Sequence, residues 1–254
     1  MLRLAEIGKR FGGLPALDGV SFEVARGSVT ALIGPNGAGK STLINAVSGV
    51  CPPDTGSVLF AGEEIAGRPP HEIARLGIAR TFQNLRLFPR MSVLDNVLCG
   101  LTPQGGRSFV GALLRLPATR NRERRLKLLA MEALDAFGLS SLSDWPVAVL
   151  PYGDRKRVEL ARAFVSEPRL VLLDEPVAGL NPEETSEIAA QIMRLKAQGH
   201  TMLLVEHDMD LVMGVADRVV VLDSGKCIAR GTPDEIRVNP LVLEAYLGRM
   251  SATA

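Results

Sequence analysis

A glycine-rich segment near residue 40 has the residue types and the spacing of a phosphate-binding loop. It fits the pattern G-x-x-x-x-G-K-[ST], in which backbone N–H groups surround a polyphosphate and the lysine contacts its β- and γ-phosphates. The hydroxyl group in this pattern is a ligand for Mg²⁺. The predicted binding residues are Gly34, Pro35, Asn36, Gly37, Ala38, Gly39, Lys40, Ser41 and Thr42. The segment therefore predicts a nucleoside triphosphate site.

The residues on either side of this loop are those that such a loop requires. The apolar run Val29–Ile33 predicts a buried strand, and Thr42–Val47 predicts a helix that leaves the loop. The positive end of that helix would add to the attraction for phosphate. The alternative is a glycine-rich turn that precedes a helix, and the full match in a strand–loop–helix context favours the phosphate site.

Two acidic residues at the end of a second apolar strand are candidates for the chemistry. The run Leu170–Leu173 predicts a buried strand that Asp174 and Glu175 follow. Asp174 is suited to hold Mg²⁺ through water opposite Ser41, and Glu175 to polarise a water that attacks the γ-phosphate. The alternative is a helix cap that leads into Pro176. The buried strand and its distance from the loop favour the catalytic interpretation.

Composition and charge limit the class of protein. With 254 residues, 46% of them hydrophobic, the chain can bury a substantial core in one domain, or in one domain with a lobe. A net charge of +1 gives no signature of nucleic-acid binding. Between residues 107 and 127, however, seven Lys and Arg residues face a single acid. This basic segment is either a solvated helix face or a surface for anionic lipid or an acidic partner.

Cysteine usage and hydropathy predict the compartment. The three cysteines are widely spaced and form no C-x-x-C pair, which argues against a zinc site or a disulfide framework and suits a reducing compartment. No apolar run approaches the ~18 residues that span a bilayer. Sequence that looks folded begins at Leu2, which leaves no room for a cleaved signal peptide. We therefore expect a cytoplasmic protein.

Short apolar runs alternate with helical patterns, as in an α/β core. Central, mostly parallel strands are predicted at Leu170–Leu173, Met202–Val205 and Arg218–Leu222. Half-exposed strands are predicted at Val20–Val24 and Ser57–Phe60, where apolar and polar residues alternate.

The middle of the chain has a helical character instead. An apolar stripe at helical spacing ends at Gly138, a residue type that commonly ends helices. The stripe consists of Leu126, Leu129, Ala130, Ala133, Leu134 and Phe137. We predict one domain over 1–254, in which a helical lobe at 85–160 is inserted into a nucleotide-binding α/β core at 1–84 and 161–254. The segment Leu101–Arg120 has no assigned element.

Further motifs make the chain similar to the ATP-binding cassette (ABC) ATPases over essentially its whole length. They occur in the order of that family: Leu150–Asp154, after which a helix is predicted from Arg155, then Asp174–Pro176, Ala178–Asn181 and Glu206–Asp208. The resemblance implies ATP and Mg²⁺ as the bound species and hydrolysis as the reaction. It also implies a P-loop NTPase core with a mostly parallel sheet and flanking helices, an N-terminal antiparallel β subdomain and an inserted α-helical lobe.

The resemblance gives roles to single residues outside the loop. Phe11 would stack on adenine, Gln83 would contact Mg²⁺ and the attacking water, and His207 would contact the γ-phosphate. For each there is a simpler interpretation: a core Phe at a strand end, a polar surface residue and a structural histidine. Tyr152, Gly153 and Asp154, in the family's signature loop, would complete the ATP site of a second subunit.

The signature loop departs from its commonest form, Leu-Ser-Gly-Gly-Gln. Here it is Leu-Pro-Tyr-Gly-Asp, so that Pro151 offers neither a hydroxyl nor an N–H group. Asp154 favours the start of a helix, yet it is expected to bring a negative charge near a phosphate. Gly153 and the helix N-terminus remain available as donors. We therefore keep ATP hydrolysis as the expected reaction and leave its rate open.

Finer resemblance points to the ATP-binding subunits of branched-chain amino acid importers. It is carried by Arg10–Leu14, Arg80–Phe88, the Pro-Tyr-Gly loop, Asp174–Pro182, Glu206–Met209, the basic insert after Cys99 and Glu244–Gly248. It implies a second cassette (a second copy or a paralogue), integral-membrane permease subunits and, indirectly, a periplasmic solute-binding protein. The chain would then lie at the cytoplasmic face of the membrane. The surface between Leu85 and Val97 is predicted to contact the permease.

Other functions remain open from the sequence. Related cassettes serve importers of urea and short-chain amides, and similar ones extract lipopolysaccharide. Soluble ABC proteins of DNA repair or translation carry coiled coils, zinc modules or two cassettes, none of which fits this chain. A cassette that regulates transport is a further alternative. No residue of this chain is expected to recognise the transported solute.

Overall fold

The computed structural model describes residues 1–104 and 117–247, with side chains for 1–101 and 121–246. An antiparallel sheet built from the N-terminal region covers one side of the molecule, in the order β2-β1-β4-β5. Its strands are β1 (Leu2–Phe11), β2 (Leu14–Val24), β4 (Thr55–Phe60) and β5 (Glu63–Glu64). Val20 and Phe22 of β2 are buried whereas Glu23 is exposed, as the predicted alternation requires.

A second, mostly parallel sheet forms the centre, in the order β10-β9-β3-β8-β7-β6. Its strands are β3 (Val29–Ile33), β6 (Ile78–Arg80), β7 (Leu170–Asp174), β8 (Met202–Val205), β9 (Arg218–Asp223) and β10 (Lys226–Gly231). All pairings are parallel except that of β9 with β10. β3, β7 and β8 are buried at every residue, which is why they are continuous apolar runs.

Helices cover this sheet, and those between β6 and β7 form a helical cluster that shares one hydrophobic core with β3, β7 and β8. The helices are α1 (Lys40–Val47), α2 (Pro70–Arg75), α3 (Val93–Leu98), α4 (Pro117–Ala136), α5 (Tyr152–Phe164), α6 (Pro182–Ala197), α7 (Met209–Val215), α8 (Pro233–Arg237) and α9 (Pro240–Leu247). Within the described residues, no helix is both long enough and apolar enough to cross a membrane.

The predicted apolar stripe of α4 lies in the core of the helical cluster. Ala130, Leu134 and Phe137 are buried there, and Gly138 ends the helix with a φ of 68°. A buried amide fixes the chain that leads into α3: Asn96 accepts a hydrogen bond from the N–H of Phe88 (2.8 Å) and donates to the carbonyl oxygen of the same residue (3.1 Å). The helical cluster is therefore tied to the loop that precedes it.

The predicted fold class and the predicted strands are confirmed, while the division into core and lobe stays a prediction. The helix predicted from Arg155 begins earlier, at Tyr152, directly after Pro151. Of the predicted basic segment, Arg107 and Arg115 lie outside the described residues, as do the side chain of Arg120 and much of Leu101–Arg120. Gly248 of the C-terminal motif lies outside them too.

Candidate functional site

The predicted functional residues follow strands that end at the same edge of the central sheet. In the parallel register Leu32 of β3 lies beside Val205 of β8, and Val205 lies beside Asp174 of β7. Arg80 of β6 pairs with Leu172 of β7. The segments that follow these four strands therefore emerge together, as is general for ligand sites in parallel α/β sheets.

Two glycines of the loop occupy positions where a side chain does not fit. Gly34 has a φ of 148°, and a Cβ atom there would lie 2.1 Å from the carbonyl oxygen of Leu222. Gly39 has a φ of 103°, and its Cβ would lie 2.6 Å from the carbonyl oxygen of Ala16. Both the dihedral angles and the close backbone approach require glycine. The glycines thus let the loop curl tightly against the neighbouring strands.

The first turn of α1 offers its N–H groups toward the space enclosed by the loop. Gly39 caps the helix without a side-chain hydrogen bond, and no acidic residue lies in the first turn. Ser41, in the same turn, is exposed. A helix N-terminus without a side-chain cap favours the binding of an anion. The exposed Ser41 hydroxyl beside it can be a ligand for a cation. This is the local geometry that a polyphosphate with Mg²⁺ requires.

The Lys40 ammonium group is held inside the loop. Its Nζ donates to the carbonyl oxygens of Gly34 (2.6 Å) and Pro35 (3.1 Å), and the residue is only 8% exposed. Burial lowers the pKa of Lys40, and the nearby carboxylates of Glu175 and Asp174 partly oppose that shift. Lys40 therefore lies close enough to Asp174, the last residue of β7, and to Glu175, which follows it, for their charges to interact.

Arg80 connects Asp174 to helix α1, a contact that sequence reasoning missed. The carboxylate of Asp174 forms an ion pair with Nη2 of Arg80 at 2.9 Å, and both side chains are largely buried. Nη1 of Arg80 also donates to Asn45 and Ser48, each at 2.8 Å. The only signal in the sequence is a cation at the end of a short apolar strand. Asp174 is thereby fixed relative to the helix that carries Ser41.

Glu175 and Gln83 are brought together across the sheet edge. Nε2 of Gln83 donates a hydrogen bond to Oε2 of Glu175 at 2.9 Å. Glu175 has a φ of 50°, and its N–H donates to the carbonyl oxygen of Val205 at 2.9 Å. Asp174 and Glu175 do not cap a helix, because the next helix, α6, begins at Pro182 behind its own cap, Asn181. The alternative role of these acids as a helix cap is therefore wrong.

His207 lies at the surface of the same edge, with its side chain 60% exposed. Its Nδ1 atom lies 3.7 Å from Oε2 of Glu206, a carboxylate that is fully buried. Burial raises the pKa of Glu206, and the backbone N–H groups of Val177 and His207, which donate to it, oppose that shift. Glu206 thus fixes the backbone on which the exposed imidazole stands.

The signature-type residues form a second group, in the first turn of α5. The hydroxyl of Tyr152 donates to the carbonyl oxygen of Ala178 at 3.4 Å. A Cβ atom on Gly153 would lie 2.5 Å from Oε1 of Glu184, which belongs to the capping box of α6. Tyr152, Gly153 and Asp154 therefore contact residues near the start of α6 or in their own helix.

The charge of Asp154 is compensated within its own helix. Its carboxylate forms an ion pair with Arg157, one turn further along α5, and the Asp154 side chain is 16% exposed. The sequence predicted that Asp154 would bring a negative charge near a phosphate, which stays a prediction. The guanidinium of Arg157 lies beside the carboxylate and partly neutralises its charge.

Phe11 lies at the end of β1 and is 51% exposed, so that the alternative of a core phenylalanine is wrong. Nζ of Lys9 lies 5.7 Å from the centroid of its ring. An exposed aromatic face with a cation beside it is able to stack on a planar ring system. Its role toward adenine stays a prediction.

The residues at the sheet edge fit a triphosphate with Mg²⁺ better than a metal ion held by protein alone. In the described part of the chain there is no group of three or more His, Cys, Asp or Glu side chains that would hold a metal. The donor set consists of backbone N–H groups, Lys40, the Ser41 hydroxyl and the carboxylate of Asp174. Mg²⁺ commonly binds through one or two protein oxygens together with phosphate oxygens and waters.

Comparisons with known proteins agree with this site. The sequence profile of the ABC transporter family matches residues 17–178, and a profile described as branched-chain amino acid ATP-binding cassette transporter matches residues 226–251. The chain is 43% identical to the high-affinity branched-chain amino acid transport ATP-binding protein BraF of Pseudomonas aeruginosa, over 98% of both chains. It is 42% identical to the corresponding protein LivG of Escherichia coli K12, over 94% of both.

Solved structures show the same architecture. The ADP conformation of the ATP-binding cassette MJ1267 matches with a TM-score of 0.85 and 36% identity, over 98% of each chain. A nucleotide-free ATP-binding cassette from an ABC transporter matches with a TM-score of 0.84 and 37% identity, over 97% of this chain and 98% of that one. Sequence, fold and site thus agree, and the chain belongs to the ABC transporter family, whose ATP-binding proteins hydrolyse ATP to power transport.

Proposed function

We propose that this chain is the ATP-hydrolysing subunit of an importer for branched-chain amino acids. The observation that carries the proposal is the 2.9 Å hydrogen bond between Gln83 and Glu175, at the sheet edge that also holds Lys40 and Asp174. The relatives BraF and LivG, each similar over almost its whole length, are named as branched-chain amino acid transport proteins. The catalytic function thus rests on the site, and the solute rests on the relatives.

In the proposed reaction, each residue of the edge has one task. The loop N–H groups and Lys40 bind the β- and γ-phosphates, while Ser41, Gln83 and, through water, Asp174 would hold Mg²⁺. When bound there, Mg²⁺ would neutralise charge on the phosphate oxygens. Glu175 orients and polarises the attacking water, and His207 donates to the γ-phosphate. Phe11 stacks on the adenine ring.

A second cassette would complete the site. We propose that Tyr152, Gly153 and Asp154 of one subunit contact ATP bound to the loop of the other, either a second copy of this chain or a paralogue. In this chain those residues contact Ala178, Glu184 and Arg157. The start of α5 would supply N–H donors in place of the serine hydroxyl that Pro151 lacks.

A cleft between β6 and α5 would receive the membrane subunits. It has a volume of about 490 Å³, and Phe82, Arg86, Phe88 and Arg162 are among the residues that line it. Phe82, Arg86 and Phe88 flank Gln83, and Arg162 lies on α5, so that a protein segment bound there would respond to both halves of the ATP site. We propose that permease subunits bind in this cleft from the cytoplasmic face of the membrane, and that a periplasmic binding protein acts through them.

Reconstitution tests this function. The complex is purified from membranes through this chain and placed in proteoliposomes with its periplasmic binding protein. We expect leucine, isoleucine or valine to stimulate ATP hydrolysis and to be transported, and the Glu175→Gln complex to do neither.

Other outcomes contradict parts of the proposal. Stimulation by urea or short-chain amides alone would reassign the solute, and lipopolysaccharide release would reverse the direction of transport. Hydrolysis without any membrane partner in the purified material would indicate a soluble ABC ATPase. ATP binding without hydrolysis in the complete complex would contradict the catalytic function.

A further inference from the structure

A buried lysine of helix α5 lies beneath the site and has no direct role in the proposed reaction. Lys156 is 1% exposed, and a buried ammonium group is destabilising unless it has partners. Burial lowers the pKa of its ammonium group, and four nearby carboxylates oppose that shift. They belong to Glu159, Glu206, Glu175 and Asp174. The cation therefore lies close to the acids of the sheet edge.

The ammonium group contacts the backbone of the proposed catalytic acid. Nζ of Lys156 donates a hydrogen bond to the carbonyl oxygen of Glu175 at 3.3 Å. The N–H of Ala178 donates to the same oxygen at 3.2 Å. This carbonyl thus has two donors, one from a helix and one from the following turn.

These two hydrogen bonds hold a peptide whose residue, Glu175, has an unfavourable backbone conformation. Its φ of 50° lies in the left-handed region, which residues with a side chain rarely adopt. Such conformations persist where surrounding contacts determine them. The same conformation orients the carboxylate whose Oε2 lies 2.9 Å from Nε2 of Gln83. A change of φ would swing Cβ, and with it the carboxylate, away from Gln83.

Lys156 also contacts a residue of the signature-type loop. Its Nζ lies 5.9 Å from the centroid of the Tyr152 ring, one turn earlier on α5. The hydroxyl of Tyr152 donates to the carbonyl oxygen of Ala178 in the turn that follows Glu175. The first turns of α5 and the turn after β7 are thus joined by two side chains.

We propose that Lys156 is a positioning residue for Glu175, which holds the Glu175 peptide from helix α5 and thereby sets the direction of its carboxylate. The inference rests on the proposed function, because that function assigns the attacking water to Glu175. Lys156 itself contacts neither ATP nor water in the reaction. Its removal is therefore expected to slow the chemical step and to leave ATP binding intact.

Steady-state kinetics of the purified membrane complex test this inference. Lys156→Met should lower kcat by about 10- to 100-fold, because a misplaced catalytic group is no longer aligned with the reacting atoms. KM for ATP and the affinity for a fluorescent ATP analogue should stay within about twofold, since the effect is confined to the transition state. Lys156→Arg, which keeps a charged donor, should restore most of kcat.

A matched control separates this effect from the removal of a lysine as such. Lys196 on α6 donates to the carbonyl oxygen of Val215 at 3.3 Å and pairs with Asp217 at 2.7 Å. Lys196→Met removes a similar set of interactions away from Glu175, so kcat should not change. A kcat of Lys156→Met within about twofold of the unaltered complex would overturn the inference. So would a Lys156→Arg variant whose kcat is reduced as much as that of Lys156→Met, or a loss of ATP affinity as large as the loss of kcat.

Lys156→Gln decides if the Met variant does not fold, because its polar amide is one bond shorter than the lysine side chain and falls short of the Glu175 carbonyl oxygen. A lowered kcat with unchanged KM then supports the inference, and an unchanged kcat contradicts it. A crystal structure of either variant gives a readout without hydrolysis. We expect Glu175 to leave positive φ and to lose its hydrogen bond to Gln83. If Glu175 keeps both its positive φ and its hydrogen bond to Gln83, the positioning role is overturned. If the unaltered complex hydrolyses no ATP, that result contradicts the proposed function and not the positioning role.

Discussion

Gln83 and Glu175 are 92 residues apart in the sequence, yet Nε2 of Gln83 donates to Oε2 of Glu175 at 2.9 Å. Gln83 follows β6 at the edge of the central sheet, and Glu175 follows the adjacent strand β7. The amide belongs to the loop that lines the cleft beside β6, and the carboxylate belongs to the first residue after β7. Any movement of this loop therefore changes the surroundings of Glu175.

Replacing the Glu175 carboxylate should stop hydrolysis without preventing ATP binding. A general base typically contributes about 10²- to 10⁴-fold to a rate, so we expect Glu175→Gln to lower kcat by about that amount. The amide keeps the shape of the side chain, and ATP should hold the cassettes together as a dimer. Phosphate release assays and light scattering in the presence of ATP measure the two effects. The exposed Glu183→Gln is the control, and normal turnover by Glu175→Gln would refute the assignment.

The loop should tolerate no side chain at Gly39. In Gly39→Ala the new Cβ would lie 2.6 Å from the carbonyl oxygen of Ala16, at a φ of 103°. The loop must shift, and each charge-assisted hydrogen bond to phosphate that breaks as a result costs about 1.5–3 kcal/mol, or roughly 10- to 100-fold in the Kd for ATP. Calorimetric titration with ATP measures this weakening. Gly214→Ala, in open space on α7, should leave the Kd unchanged, and equal effects of the two substitutions would contradict the prediction.

The ion pair between Arg80 and Asp174 should contribute strongly to stability because both partners are largely buried. Arg80→Met leaves a buried carboxylate without its partner, and we expect the free energy of unfolding to fall by about 3–5 kcal/mol. Urea denaturation followed by circular dichroism measures it. Arg75→Met, on the exposed last turn of α2, should change the value by no more than about 0.5 kcal/mol. A similarly small effect at Arg80 would argue against the pair.

Acidification should destabilise the fold through His200. Its ring packs edge-on against Phe164 with 5.2 Å between centroids, and burial lowers its pKa below the ordinary value of 6.5. As the pH falls through 6.5, the unfolded chain takes up the proton first, so that the free energy of unfolding decreases.

In His200→Gln this component is absent, and the decrease of Tm between about pH 7.5 and pH 5.5 should be smaller than in the unaltered chain. Differential scanning calorimetry at both pH values measures it. His71→Gln, at an exposed position, should keep the slope of the unaltered chain. An equal slope in His200→Gln and the unaltered chain would exclude this contribution.

The sequence predicts the central strands and the phosphate loop because their signals are local. β3, β7 and β8 are continuous apolar runs, and the loop has a fixed spacing of glycine, lysine and serine. β6 and β10 were not predicted, since three residues are too few for a period and β10 mixes polar and apolar residues. The sequence predicts the start of α5 too late, at Arg155, because Gly153 disfavours a helix. The helix begins at Tyr152, directly after Pro151.

The contacts that orient the site were not predictable in the same way. Arg80 and Lys156 act through partners far along the chain, at Asp174 and Glu175, and neither belongs to a spacing pattern. The compensation of Asp154 by Arg157 also depends on the register of a helix whose first residue the sequence misplaced. The chemistry of the site can be predicted from its residue types, but the orientation of its side chains depends on tertiary packing.

Gly153 and Glu184 lie so close together that the residue at one position limits which residues fit at the other. Glu184 accepts the N–H of Asn181 to cap α6, and the same carboxylate occupies the space where any side chain at 153 would lie. A larger residue at 153 would displace the Glu184 carboxylate, and a shorter residue at 184 would free the space but remove one of the two hydrogen bonds of the α6 capping box. Libraries built to alter the nucleotide response of this chain should therefore randomise both positions together.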